Sequence, residues 1–258
     1  MKTNPKTLAA AAILLSAIPA TAGTTVPSLT NPEPVATAPA WHWRAAIYGW
    51  ATALDGDVTI RGRNAGVDVG FDDVLDNLDW AVMGAVEIGC DKWSFLADLF
   101  YAELSASTVK GPDYFSSQLS QFIGNFVVAY NVVDSGPTRF DVYAGVRVNS
   151  LDADLDISRL GVPTFSGSQS KTWVDPIIGV RFQRDLSEKF FFRAVGDIGG
   201  FGVSSDFTWQ ALAAFGYRLC DNASVALGYR GIGTDYSSGG FGYDVISHGV
   251  LLGLECTF

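Results

Sequence analysis

The chain has 258 residues, of which 48% are hydrophobic, 13% aromatic and 17% charged. Its formal net charge of −10 excludes the basic footprint that nucleic-acid binding requires. After the N-terminal segment the sequence has no run of 18 apolar residues, so it predicts no membrane-spanning helix there, and only strands would bring it into a membrane.

The N-terminal 22 residues have the pattern of a signal peptide. Lys2 and Lys6 give a positive start, residues 8–18 form an apolar stretch too short to span a bilayer, and residues 20–22 (Ala-Thr-Ala) form a small-residue cleavage site. Residues 23–40 contain four prolines and no basic residue. This composition predicts a disordered leader, which an exported chain would leave in the periplasm.

Residues 41–258 predict a single all-β domain, because apolar and polar residues alternate with a period of two between turn signals. The ten predicted strands are 41–53, 80–89, 93–106, 117–132, 139–154, 171–185, 189–202, 206–219, 223–235 and 245–258. Tight turns are expected at 89–92, 133–138, 186–189 and 220–223, and longer connections at 54–79, 107–116, 155–170 and 236–244. Short turns alternating with longer loops, with an even strand number, are typical of a transmembrane antiparallel up-and-down β-barrel.

The first long connection leaves the strand number open between eight, ten and twelve. Residues 58–61 and 67–71 could form a hairpin that turns at residues 64–66, and residues 72–78 predict a short helix capped by Asp72 or Asp73. If that hairpin entered the membrane the barrel would have twelve strands, and if one predicted strand pair were loop it would have eight. Asp72, Asp73 and Asp76 are candidate Ca²⁺ ligands, although a solvated acidic loop is the preferred interpretation because their spacing does not match an EF-hand loop.

The period of two also assigns an outward face, on which aromatic residues cluster at both ends. The predicted outer belt contains Trp80, Tyr101, Phe122 and Trp209, and the predicted periplasmic belt contains Trp43, Trp93, Tyr130, Phe140, Phe182, Phe190, Tyr217 and Phe258. Two aromatic belts flank the apolar band of a membrane barrel. This pattern therefore favours a membrane barrel over a soluble periplasmic β-domain.

The inward face carries six arginines, six carboxylates and no lysine. The predicted lumen charges are Arg44, Glu87, Asp98, Asp141, Arg147, Asp175, Arg181, Arg193, Asp197, Arg218, Arg230 and Glu255. Arginine suits bidentate pairing with carboxylates in a confined space, and buried charges must be paired. The balance of signs favours a salt-bridged core with a structural or surface-interaction role, and the alternative is a narrow porin-like channel for small solutes or ions.

The two histidines give no catalytic arrangement, so we expect no enzyme activity, and a lipid A-modifying enzyme is the least favoured alternative. His42 precedes the predicted barrel core. His248 is expected to face lipid near the outer rim, with Ser247 pointing inward and no outward acid evident on the neighbouring strand. An omptin-like protease would need an inward histidine beside acids such as Asp235 and Asp244 at the outer mouth.

Three segments of the C-terminal half resemble a family of uncharacterised outer-membrane β-barrels from Gram-negative bacteria. They are residues 171–182 (KTWVDPIIGVRF), 196–206 (GDIGGFGVSSD) and 228–236 (GYRGIGTDY). More loosely, the whole chain from residue 41 is similar to small opacity-type and porin-like barrels. Its last strand is similar to the closing strand, ending in Phe258, that the barrel-assembly machinery reads, although Cys256 stands where an aromatic residue is common.

This resemblance implies a location in the cell outer membrane. The implied partners are outer-membrane lipid, lipopolysaccharide and the barrel-assembly machinery. It implies no activity, no cofactor and no particular oligomeric state.

Overall fold

The computed structural model of the protein describes residues 41–60, 63–110, 113–159 and 162–258. The predicted signal peptide and leader lie outside the described residues. No helix in the described ranges has the length and apolar character needed to cross a membrane.

The described chain is almost entirely strand. Its elements are β1 Trp41–Ile60, β2 Arg63–Val69, α1 Phe71–Asp76, β3 Leu78–Cys90, β4 Trp93–Lys110, β5 Asp113–Asp134, β6 Thr138–Arg159, β7 Val162–Asp185, β8 Phe190–Gly199, β9 Ser205–Cys220, β10 Ala223–Ser238 and β11 Phe241–Thr257. Strands β3 to β11 pair antiparallel in chain order, and β1 pairs with both β3 and β11. These ten strands close a barrel, while β2 pairs with β1 alone in the described sheet, so the prediction of ten strands is confirmed.

The four tight turns lie where the sequence predicts them. The connections are residues 91–92, 135–137, 186–189 and 221–222. Asp91 and Gly136 adopt positive φ angles of 54° and 67°, a conformation that glycine adopts freely and that aspartate tolerates better than most residues. The strands are antiparallel, and these four turns alternate along the chain with the other connections. All four therefore lie at the same end of the barrel.

The connections predicted as longer loops are instead continuations of the strands. Strand β4 runs to Lys110 and β5 resumes at Asp113, while β6 runs to Arg159 and β7 resumes at Val162. Polar or small residues are common in these extensions, as in the register pair Ser107↔Ser116 and at the outward Asp152 and Asp154. Without an apolar outward face these segments resemble loops in composition, and pairing with the neighbouring strand continues the ladder there.

The first long connection also differs from its prediction. Residues 64–66, the predicted turn, instead lie within β2 and pair with β1, and Ile60 pairs with Arg63. Helix α1 begins after Gly70, and no side chain caps it, so the capping role predicted for Asp72 or Asp73 is wrong. Both aspartates lie in the first helical turn, where their charge complements the positive end of the helix dipole.

An apolar band covers the outside of the barrel. On β11 the outward residues Leu254, Leu252 and Val250 are about half exposed, and the same face ends with exposed Asp244. Ring pairs join neighbouring strands in the predicted belts, with centroids 4.7 Å apart for Trp80–Tyr101 and 4.8 Å apart for Trp93–Tyr130. Exposed large hydrophobic side chains that form a continuous band, rather than scattered sites, indicate a surface made for an apolar surrounding.

Candidate functional site

The lumen holds two layers of buried ion pairs, and the layer nearer the tight turns is built around Arg181. Its Nη1 and Nη2 donate to the Glu87 carboxylate at 2.8 and 2.7 Å, and its Nε donates to Asp141 at 2.8 Å. Glu87 and Asp141 are each 1% exposed. One guanidinium on β7 therefore bridges two carboxylates that come from two other strands, β3 and β6.

Three further arginines belong to this layer: Arg139, whose Nε donates to Asp141 at 3.1 Å, Arg193 and Arg44. Arg193 donates to the two oxygens of Glu255 at 2.8 and 3.1 Å and also to the Gln183 side chain. The Arg44 guanidinium lies 3.4 Å from Glu87 and 3.6 Å from Glu255, so it links the two groups electrostatically. The layer is a connected network rather than a set of separate pairs.

The second layer lies further from the tight-turn end of the lumen and has two centres. Arg147, which is fully buried, donates to Asp197 at 2.7 Å, to Asn125 at 2.8 Å and to Thr208 at 2.9 Å. All three of its nitrogens are therefore satisfied, as burial of a guanidinium requires. Tyr143 donates a further hydrogen bond to Asp197 at 2.9 Å.

The other centre is Arg230, which donates to Asp98 at 2.6 Å and to Gln210 at 2.6 Å. Tyr48 donates to the second oxygen of Asp98 at 2.6 Å and accepts from Arg230 at 3.0 Å. This cluster connects β1, β4, β9 and β10, which lie on different sides of the lumen. It therefore crosses the lumen rather than lining it.

Two of the twelve predicted lumen charges make no ion pair within these layers, although Asp175 is the register partner of Arg147. Asp175 is fully buried and accepts hydrogen bonds from the backbone N–H and the hydroxyl of Ser205 at 2.7 and 2.6 Å. Arg218 pairs with Asp185 at 2.5 Å near the tight-turn rim. The other ten, Arg44, Glu87, Asp98, Asp141, Arg147, Arg181, Arg193, Asp197, Arg230 and Glu255, lie together in the two layers.

Sequence reasoning missed the apolar residues that fill the lumen beyond the second layer. One cluster contains the buried residues Trp50, Phe100, Ala102, Ile123, Ile232 and Leu251, and the next contains Trp173, Tyr236, Phe241, Tyr243 and Val245. The rings of Trp173 and Tyr236 stack with centroids 4.3 Å apart. The signal was available, because Trp50 has the same strand parity as Arg44 and Tyr48 and must therefore point inward.

Between the two ion-pair layers lies a partly enclosed cavity of about 170 Å³. Its walls are largely apolar side chains such as Leu96, Phe191 and Leu212, with the arginines and carboxylates of the two layers at its ends. From the tight-turn end outward, the lumen thus contains the first ion-pair layer, the cavity, the second ion-pair layer and the two apolar clusters.

The two histidines lie at opposite ends of the barrel, and neither points into its outer mouth. The His42 ring packs inside the tight-turn end, against the backbone of Gly89. His248 faces outward, as predicted, and Ser247 on the same strand is 3% exposed and points inward. Asp235 and Asp244, the acids considered for a protease site, are register partners on the exposed outer wall.

The prediction that His248 lacks an outward acid is wrong. Its Nε2 lies 2.6 Å from Oδ2 of Asp55, and its Nδ1 lies 2.5 Å from the hydroxyl of Tyr229. Asp55 falls in the predicted long connection 54–79, but β1 continues through Asp55 to Ile60 and carries that carboxylate onto the barrel wall.

Within the described ranges no group of three His, Cys, Asp or Glu side chains is placed to hold a metal ion. Asp72, Asp73 and Asp76 lie on the exposed helix α1 and in its last turn. The geometry therefore gives the Ca²⁺ hypothesis no support.

Comparison with known proteins supports the fold. No family model and no curated protein matches the chain. Among solved structures, the outer membrane protease OmpT from Escherichia coli matches with a TM-score of 0.53 at 14% sequence identity, over 88% of this chain and 99% of that one. The translocator domain of the autotransporter NalP from Neisseria meningitidis (TM-score 0.41, 13% identity, 84% and 88% coverage) and Ail from Yersinia pestis (TM-score 0.34, 10% identity, 84% and 98% coverage) also match. The similarity to OmpT shows that the chain has the fold of an outer-membrane β-barrel.

Proposed function

We propose that the protein is an integral barrel of the cell outer membrane with a closed, salt-bridged lumen, and that it has a structural or surface-interaction role. The apolar band and the paired belt residues support membrane residence, since a closed barrel leaves no backbone group unpaired in lipid. Outer-membrane lipid, lipopolysaccharide and the barrel-assembly machinery are the proposed partners. The three C-terminal segments quoted above support a place in the uncharacterised family that they resemble.

The observation that carries the closed lumen is the succession of barriers along it. A solute entering from the outer end meets the stacked Trp173 and Tyr236, then the cluster around Trp50, then two layers of buried ion pairs. Opening a path through either layer would leave charges such as Glu87 without their partners, which costs several kcal/mol. The two layers hold six arginines, Arg139 included, and five carboxylates, so neither sign has a marked excess with which to select ions.

The long outer extensions support a surface-interaction role. A transmembrane strand needs about 9–11 residues, whereas β5, β6 and β7 have 22, 22 and 24. About half of each strand therefore extends beyond the apolar band. The outward residues there are polar, such as exposed Asp152 and Asp154 on β6 opposite Ser170 and Ser168 on β7.

Single-channel recording tests the closed lumen directly. The purified full chain is reconstituted in a planar bilayer at several protein concentrations, with a general porin as the positive control. We expect silence at concentrations at which the porin gives discrete steps. Steady single-channel steps from this protein would overturn the closed-lumen function and favour the narrow porin-like channel.

A further inference from the structure

A second polar cluster lies on the outside of the barrel, on three neighbouring strands. Asp55 on β1, Tyr229 on β10 and His248 on β11 all point outward. His248 is the register partner of Ala53 and of Gly231, so small residues on both sides leave space around its ring. The cluster runs diagonally across the seam at which the barrel closes.

The hydrogen bonds of this cluster hold its side chains in a defined arrangement. Asp55 and Tyr229 occupy the two ring nitrogens of His248 at 2.6 and 2.5 Å. His248 thereby donates from Nε2 to the carboxylate, and the Tyr229 hydroxyl is bonded at Nδ1. In the hydrogen bonds of the described residues Asp55 uses only Oδ2, which leaves Oδ1 as an acceptor facing outward.

Trp209 extends the cluster with an aromatic face. Its indole covers Gly231 and Gly233 on β10: a Cβ atom at position 233 would lie 2.1 Å from the indole Nε1. The ring therefore lies flat on the wall, beside the register position of His248. The half-exposed phenol of Tyr229 lies on β10, two residues from Gly231, so both aromatic groups border His248 on the side opposite Asp55.

The cluster lies near the outer end of the apolar band. On β11 the outward residues on the tight-turn side of His248 are apolar. On its other side Asp244, two residues beyond Ile246, begins the polar extension. Ionisable groups on a lipid-facing surface are costly away from the interface and are functional candidates by default. This cluster thus lies at the border between the apolar band and the polar outer wall, level with the outer aromatic belt that contains Trp209.

From this geometry we propose that Asp55, Tyr229, His248 and Trp209 form a binding site for the saccharide headgroup of an outer-leaflet glycolipid. The site presents an aromatic surface, a carboxylate acceptor and a hydroxyl, which fit a hydroxyl-rich ring. No arginine or lysine belongs to it, so a phosphate would meet the Asp55 carboxylate without a cation to offset the repulsion. The inference rests on the proposed membrane placement but not on the closed lumen.

Lipid retention measured by native mass spectrometry tests the site. The folded full chain in detergent is incubated with lipid A, with dephosphorylated lipid A and with phosphatidylglycerol, and the lipids that remain bound are counted. We expect both forms of lipid A to be retained and phosphatidylglycerol to be lost. Asp55→Ala, His248→Leu and Tyr229→Phe should each lower retention about tenfold, the loss expected for one strong hydrogen bond.

Asp57→Ala is the matched control, because Asp57 is an exposed outward carboxylate two residues further along β1. It should retain lipid A as the wild type does. Equal retention by the Asp55 and Asp57 variants, equal binding of phosphatidylglycerol, or loss of binding on dephosphorylation would overturn the saccharide site. A change in the mass of the bound lipid A would overturn it in favour of catalysis.

Each variant is first checked for heat-dependent electrophoretic mobility, so a misfolded variant is identified before lipid is counted. Conductance of the wild-type barrel would contradict the closed lumen and would leave the lipid result standing. The two proposals therefore fail separately.

Discussion

At the residue scale, the lumen depends on arginines that each satisfy several partners. Arg181 bonds Glu87 and Asp141 through all three nitrogens, and Arg147 bonds three different side chains. Lysine offers one compact charge and could not reproduce these forked contacts. The absence of lysine among the predicted lumen charges thus has a geometric reason.

Arg181→Ala should strongly destabilise the barrel, because it leaves two buried carboxylates without their main partner. Removing one member of a buried ion pair costs about 3–5 kcal/mol. The loss would be read as a lower midpoint in heat- or urea-induced unfolding, followed by the gel shift of folded barrels. Arg184→Ala, an exposed position three residues further along β7, should unfold like the wild type. A wild-type midpoint for Arg181→Ala would show that Glu87 and Asp141 are satisfied in another way.

At the element scale, the closing pair of strands depends on close backbone contact. A Cβ atom at Gly249 on β11 would lie 1.7 Å from the backbone oxygen of Ala51 on β1, a distance that no side chain can relieve. On β1 itself, Gly49 has no atom within 4 Å of the corresponding position. Two glycines in the same strand pair therefore have different importance for barrel closure.

Gly249→Ala should impair closure, whereas Gly49→Ala should be tolerated. The first substitution pushes β1 and β11 apart, and the second adds a methyl group on the open outer wall. Refolding yield into detergent micelles, measured by the fraction of protein that shows the folded gel mobility, compares the two variants directly. Similar yields for both would argue against close approach at Ala51.

The elements that the sequence predicted well are those that depend on local interactions. The turns at 91–92, 135–137, 186–189 and 221–222 depend on local chemistry, and the apolar alternation of the strands is a local pattern. The outer halves of β5 to β7 lack the apolar outward face on which the prediction of membrane strands depended, because their outward residues, such as Asp152 and Asp154, are polar. Their strand structure comes from pairing with each other, which no single segment encodes.

At the scale of the whole molecule, charge and apolar packing are separated along one axis. The ion-pair layers lie in the half of the lumen nearer the tight turns, and the clusters around Trp50 and Trp173 fill the outer half. Buried pairs are screened by salt much less than surface pairs are. The acidic outer wall, by contrast, is open to ions.

Heat stability should therefore change little between low and high salt. We expect the midpoint of the mobility shift to stay nearly constant from about 0.05 to 0.5 M NaCl, a range over which the Debye length falls to a few ångströms. A midpoint that falls steeply as salt is added would mean that solvent ions reach the Arg181 and Arg147 networks. That outcome would also weaken the case for a closed lumen.

The sequence by itself favoured ten strands over eight or twelve, and it determined their tight turns and which side of each strand faces inward. These properties follow from a side-chain period of two and from local turn chemistry. That period placed ten of twelve predicted charges in the two lumen layers and turned His248 outward.

Only the tertiary structure decided which residues meet. Arg230 bonds Tyr48 across 182 residues of sequence, and His248 bonds Asp55 across 193. Partners across a lumen or a seam depend on the stagger of all ten strands, which is a property of the closed barrel and not of any one segment. For that reason the stacking of Trp173 on Tyr236 and the Asp55–His248–Tyr229 cluster emerged only when the barrel was closed.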